Sequence, residues 1–249
     1  MAKILGKLQS FSFGGVDVPI QSHTLDESYN VIDVTDTDST GDTVETLVSR
    51  ATRTLQVEGV LRTAAGVAQV GAAMNFNFDG TDYKLIDASF EETFEEIDST
   101  DSGTSGDGTD FEVSYAARKS TLSMFIADTT AEIVRKVAET ATLTFATGHT
   151  AAGDFRPESI NYGNEVKNMA KVDVSGSWQG TVTQTLLGLT GGTSGAVVLI
   201  YKDGGTTDKK FEGTAVITAK SLSANVNGEV RVSYTLKFQG AITPTQYTA

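Results

Sequence analysis

The chain contains no cysteine. That removes disulfide staples, thiolate zinc sites and thiol nucleophiles from consideration. Proline is nearly absent, with three residues in 249, and there is one tryptophan. Histidine occurs only at His23 and His149, each in a polar or turn-like stretch without a second histidine nearby, and reads as an exposed loop residue. Basic residues are outnumbered by acidic ones, 19 to 32, for a net charge of -13. Phosphate backbones are gripped by Lys and Arg, so the chain is a poor candidate for a nucleic-acid clamp. No run reaches the roughly 18 apolar residues of a membrane span, and the opening MAKILGKLQSFSFGG lacks the apolar stretch of a signal peptide. These features predict a soluble protein made in a cytoplasm.

Catalytic signatures are also wanting. There is no G-x-S-x-G elbow, Gly191–Ala196 (GGTSGA) lacks the Gly-Lys-Ser/Thr of a phosphate loop, and no dinucleotide fingerprint follows a strand. One stretch approaches a calcium loop. In DTDSTGD, Asp36, Asp38 and Thr40 precede Gly41 at the right spacing. The bidentate Glu that should close such a loop is replaced by Leu47, and Glu45 falls two positions early. DSTDSGTSGDGTD, from Asp98 to Asp110, has no ligand order. Both read as solvated hairpin tips rich in turn formers, so no metal, no cofactor and no catalytic residue is expected.

What is present is β pattern. Glu229–Gln239 (EVRVSYTLKFQ) alternates, with Val230, Val232, Tyr234, Leu236 and Phe238 on one side and Glu229, Arg231, Ser233 and Lys237 on the other. Gly213–Ala224 reads as its hairpin partner across Asn227-Gly228, a dipeptide that tolerates positive φ. Further strands are expected at Gln9–Phe13, Tyr29–Thr35, Arg53–Leu61, Met74–Phe78, Tyr83–Glu95, Phe111–Met124, Ala141–Ala146, Val172–Trp178 and Ala196–Lys202. Thr129–Glu139 opens with a Thr-x-x-Glu capping box and predicts one helix. Helical turns are expected at Ala64–Ala73 and Thr183–Leu189.

The two halves resemble each other. TLQVEGVLR (54–62) matches KVDVSGSWQ (171–179) at an offset of 171−54=117, pairing Leu55 with Val172, Val57 with Val174 and Gly59 with Gly176. Gly71-Ala72-Ala73 and Gly195-Ala196-Val197 precede similar strands, and FEVSY (111–115) matches VRVSY (230–234) at 230−111=119. Ordered matches at similar spacing predict a tandem duplication. The expected fold is all-β: two sandwich or barrel domains at 1–127 and 141–249, joined by a helical linker at 128–140.

The ends of the chain resemble the siphophage major tail tube proteins. The opening sixty residues run MAKILGK, FSFGGVDVP, TLDESYNVIDVTDTDSTGD and TRTLQVEGVL, similar to the family's basic first strand, Gly-Gly turn and Asp/Ser/Gly-ended strand. The closing GAVVLIYKDGG and KFEGTAVITAKSLSANVNGEVRVSYTLKFQGAIT resemble its final half. The length is similar to members that carry two fused tube domains. The resemblance implies a structural, non-enzymatic subunit of a virion tail, made in the host cytoplasm. Three chains would supply six domains to a trimeric, pseudo-sixfold ring, and stacked rings would pass DNA without binding it. Implied partners are tape-measure, tail-terminator and baseplate proteins. The lumen is expected at Gln56, Glu58, Asp173, Ser175 and Gln179, with Glu229, Arg231, Ser233 and Lys237 as an alternative lumen or subunit interface. Loops around Asp36, Asp38, Asp42, Asp101 and Asp107 would contact the next ring. A virion or cell-surface β-sandwich adhesion module is the competing reading; it would want clustered exposed Trp and Tyr, and the single Trp178 lies on an apolar face.

Overall fold

A computed structural model of the chain describes residues 7–34, 46–61, 68–101, 109–127, 138–166, 169–184, 189–202 and 208–247. Within them the protein is all-β. Its strands are β1 (Lys7–Phe13), β2 (Val16–Asp17), β3 (Ser22–Asp33), β4 (Thr46–Val60), β5 (Asn75–Phe78), β6 (Thr81–Asp98), β7 (Phe111–Ala127), β8 (Glu139–Ala146), β9 (His149–Val166), β10 (Met169–Gln184), β11 (Ser194–Lys202), β12 (Asp208–Asn225) and β13 (Arg231–Tyr247). One turn of 3-10 helix, Gly71–Ala73, precedes β5. The alternation that predicts these strands holds in three dimensions: Val230, Val232, Tyr234, Leu236 and Phe238 are all buried.

Every strand pair is antiparallel. From β6 the pairing runs β5–β8–β9–β10–β7 and returns to β6, which closes a barrel. Phe76, Phe78, Phe90, Phe155 and Trp178 stack edge-to-face inside it. A second unit runs β2–β1–β11–β12–β13–β4–β3, and among the described residues no pairing joins β2 to β3. The units meet where β12 pairs with β6. Each draws strands from both halves of the chain, so the expected boundary near 127–141 passes through both.

The structure differs from the sequence expectations in several places. β9 was not anticipated, because Gly153, Pro157 and Gly163 interrupt its pattern. A register shift opposite Ser175 and Gly176 accommodates Pro157. Thr183 and Gln184, expected to be helical, finish β10, where β9 supplies their backbone partners. Glu139, given to the end of the predicted helix, opens β8 opposite Phe155, and Ala138 before it is not helical; residues 129–137 lie outside the described residues. The β12–β13 turn forms without positive φ at Asn227 or Gly228. Instead the Gly228 amide donates to the Asn225 carbonyl and the Asn227 amide to the Asn225 side chain. Neither histidine is an exposed loop residue. His149 is buried at the start of β9, and His23 sits half-buried in β3 against the Tyr201 ring. Burial lowers the pKa of both imidazoles, since a charged ring would lose its water.

Candidate functional site

The barrel and the open unit share one front wall. Eight strands follow each other in it: β9–β10–β7–β6–β12–β13–β4–β3. Paired residues in a sheet point the same way, so the register identifies what lies on its front. One row crosses all eight strands: Arg156, Ser177, Lys119, Glu91, Ser221, Ser233, Glu58 and Ser22. A second runs Ser159, Ser175, Thr121, Ser89, Ser223 and Arg231. A third runs Asn161, Asp173, Ser123, Asp87 and Asn225. The opposite face of the same strands carries Val174, Leu122, Ala88, Phe90, Leu222, Tyr234, Val57 and Leu55, all buried.

This register bears directly on the predicted surfaces. Gln56 and Glu58 on β4 lie opposite Thr235 and Ser233 on β13. Asp173 and Ser175 reach the same face through β7, β6 and β12. The surfaces carrying Glu58 and Ser233, expected as alternatives, are therefore one continuous face. Arg231 and Glu229 border an open groove of about 680 Å³ on it, lined also by Asp87, Ser123, Asp173 and Asn225. Gln179 sits at the margin, its amide donating to the Ser177 hydroxyl. Lys237 is tied to Glu96 at 2.5 Å and lies over the Phe111 ring. Asp101 is exposed, and its carbonyl accepts from Arg50. Asp36, Asp38, Asp42 and Asp107 lie outside the described residues.

The face is rich in hydroxyls and nearly balanced in charge. Across the three rows Glu58, Asp87, Glu91 and Asp173 face Lys119, Arg156 and Arg231. Several of its polar groups are bound to one another: Ser89 to Thr121 at 2.6 Å, Ser22 to Glu58 at 3.1 Å, Ser123 to Asp173, and Asn225 to Asp87. The Ser123 hydroxyl and then Lys171 hold the Asp173 carboxyl below its usual range. No cluster of three or more metal-ligating side chains occurs among the described residues. The contributions of β6, β7 and β12 were missed from sequence. Their signal was the alternation in LIDASFEETFEE and RKSTLSM, which shows the pattern but not which strands stand side by side.

The halves of the wall correspond by a local dyad. Val57 and Val174 match in sequence; their partners are Tyr234 and Leu122, whose own partners are Lys220 and Ala88. Ala88 then pairs with Ala224, and Lys220 with Glu92. These pairs flank Phe90–Leu222 symmetrically, two residues away on each side. Both halves also carry the same irregularity, between Leu85 and Asp87 and between Ile217 and Ala219. FEVSY and VRVSY lie in corresponding strands but out of step: Tyr234 corresponds to Leu122, an offset of 234−122=112. No family model, curated protein or solved structure matches the chain.

Proposed function

We propose that the protein is a structural subunit of a bacteriophage tail tube, self-associating through its sheet into rings that stack around a DNA conduit. The observation that carries this reading is the continuous front wall: eight antiparallel strands, apolar behind and hydroxyl-rich in front. A wall of nearly balanced charge on a chain of net charge -13 offers DNA few fixed cations, so counterion release cannot hold it there. In this reading the front face lines the conduit, and Glu58, Asp173, Ser175, Ser233 and Arg231 all reach it. The role asks for no cofactor and no catalytic group. Tape-measure, terminator and baseplate proteins would be its partners in a virion tail.

The local dyad changes the ring symmetry to be sought. Repeating domains in a pseudo-sixfold ring all point the same way. Dyad-related halves point in opposite directions, so three chains would give a ring whose six units alternate and whose two rims resemble each other. Negative-stain microscopy of the purified chain is the test. Rings or tubes with threefold averages and alternating units are expected; monodisperse small particles at all concentrations would overturn the proposal.

A further inference from the structure

Each unit is assembled from both halves of the chain by the same exchange. The first half contributes β1–β4 to the open unit and β5–β7 to the barrel. The second contributes β8–β10 to the barrel and β11–β13 to the open unit. Within the units, four seams join strands of different halves: β1–β11 and β4–β13 in the open unit, β5–β8 and β7–β10 in the barrel. The dyad relates these seams in pairs. β4–β13 corresponds to β10–β7, with Val57 and Tyr234 matching Val174 and Leu122, and β1–β11 corresponds to β8–β5. Among the described residues β4 does not pair with β7, nor β10 with β13.

The chain therefore crosses between units twice, and both crossings are seated on the second half. After β4, Val70 bridges Glu229 and the Gly71 amide donates to the Gly228 carbonyl at 3.0 Å. After β10, the Leu189 amide donates to the Tyr234 hydroxyl at 3.2 Å and the Gly192 amide to the Ile217 carbonyl at 2.9 Å. This is the reciprocal exchange that builds domain-swapped dimers, here made inside one chain. The contacts of an exchanged seam depend on the strand's sequence and not on which copy supplies it. We infer that the second half of another copy fits the same seams: β1–β4 of one copy completes an open unit with β11–β13 of a second, and β5–β7 of the first completes a barrel with β8–β10 of the second. The partner is a second copy, and the surface it fits is the inner seams, with the outer strands of the wall left as they are. Copies joined in this way are interlocked and separate only by unfolding. Within one chain residues 128–138 tether the halves. A short tether gives an effective concentration on the order of 1 mM, so exchange between copies competes during folding as the chain approaches that concentration. The inference goes beyond the tube reading and does not depend on it.

Because the chain lacks cysteine, a seam can be read with single thiols. Gln56 on β4 and Thr235 on β13 lie opposite each other on the front face. The Cα atoms of such pairs stand about 4.5–5.5 Å apart, within reach of a disulfide. Gln56→Cys and Thr235→Cys are prepared as separate full-length chains, one of them isotope-labelled. They are mixed either folded or in urea followed by joint refolding, then oxidised and analysed by mass spectrometry. Joint refolding should give a disulfide-linked heterodimer whose share grows with concentration, on the order of a tenth at ~0.1 mM for a tether of this effective concentration. Mixing the folded chains should give none. The double variant Gln56→Cys/Thr235→Cys should close its disulfide within one chain, and Glu58→Cys with Ser233→Cys, on the neighbouring rung, should repeat the whole pattern. No heterodimer after joint refolding up to ~1 mM, at a rung whose double variant does close, would overturn the inference. So would equal yields from the folded mixture, which would mark a contact between finished surfaces. A double variant that closes at neither rung would overturn it by removing the β4–β13 seam. None of these results bears on whether the chain builds tubes.

Discussion

Beside the dyad, one pair of positions breaks the symmetry. Lys220 and Glu92 are buried where their counterparts are Ala88 and Ala224. Glu92 accepts from Arg118 at 2.6 Å and from Gln184 at 3.0 Å. The Lys220 ammonium reaches the Leu189 carbonyl at 3.3 Å and the Gln184 side chain at 3.4 Å. Removing one member of a buried charged set leaves the others without compensation, at a cost of about 3–5 kcal/mol. Glu92→Gln should therefore lower urea-unfolding stability by that order, well beyond the effect of replacing exposed Glu91. Burial lowers the Lys220 pKa, and Glu92 opposes that shift. Burial raises the hydroxyls of Tyr201 and Tyr234 to about 12. The unfolded chain ionises near 10 while the fold keeps these phenols neutral, so their contribution is complete below pH 10 and is lost as pH rises to about 12. Stability measured from pH 9 to 12 should fall, and Tyr234→Phe should flatten part of the decline.

At the scale of elements, the duplication shows in how closely chains pass each other. Gly59 and Gly176 are matched residues on β4 and β10. A Cβ on Gly59 would stand 2.6 Å from the Pro19 carbonyl oxygen, and one on Gly176 would press on the Arg156 carbonyl and the Phe155 ring. In both units a neighbouring segment crosses the same point of the same strand, and backbone atoms cannot retreat as side chains can. Gly59→Ala and Gly176→Ala should each cost about 1–3 kcal/mol, typical of overpacking, as read by chemical denaturation. Gly80, at a hairpin turn with nothing within 4 Å of a Cβ, would suffer from its φ of 76° and not from crowding. Phe90 marks the dyad itself and is fully buried against Trp178. Phe90→Ala should cost about 3–5 kcal/mol and loosen both units together, because β6 belongs to the barrel and pairs with β12 of the other unit.

At the scale of the molecule, net charge opposes assembly. Copies of net charge -13 repel one another, and added salt screens that repulsion, with a Debye length of about 10 Å at 0.1 M. A contact made through sheet edges relies on backbone hydrogen bonds and side-chain packing, which depend little on salt. Light scattering should then show assembly increasing as NaCl is raised from low ionic strength, the opposite of an assembly held by ion pairs between subunits. DNA binding in the same buffers should stay weak at every salt concentration.

The sequence by itself determined the β class, most strand positions and which face of each strand is buried, because a period of two couples side-chain direction to polarity wherever one face meets a core. It also pointed to the repeat, through β4 and β10, where Gly59 and Gly176 interrupt otherwise similar patterns. It did not reveal β9, whose Pro157 and glycines are tolerated only because a register shift and an outer edge receive them. It could not order the strands. Alternation says that Glu58 and Ser233 each face away from a core, but only pairing across 175 residues of chain (233−58=175) places them side by side. Nor could it relate the halves, since a match between segments is blind to direction in space. The dyad, the single front face and the two outer edges arise from long-range hydrogen bonding, and only the tertiary structure decides which strands share it.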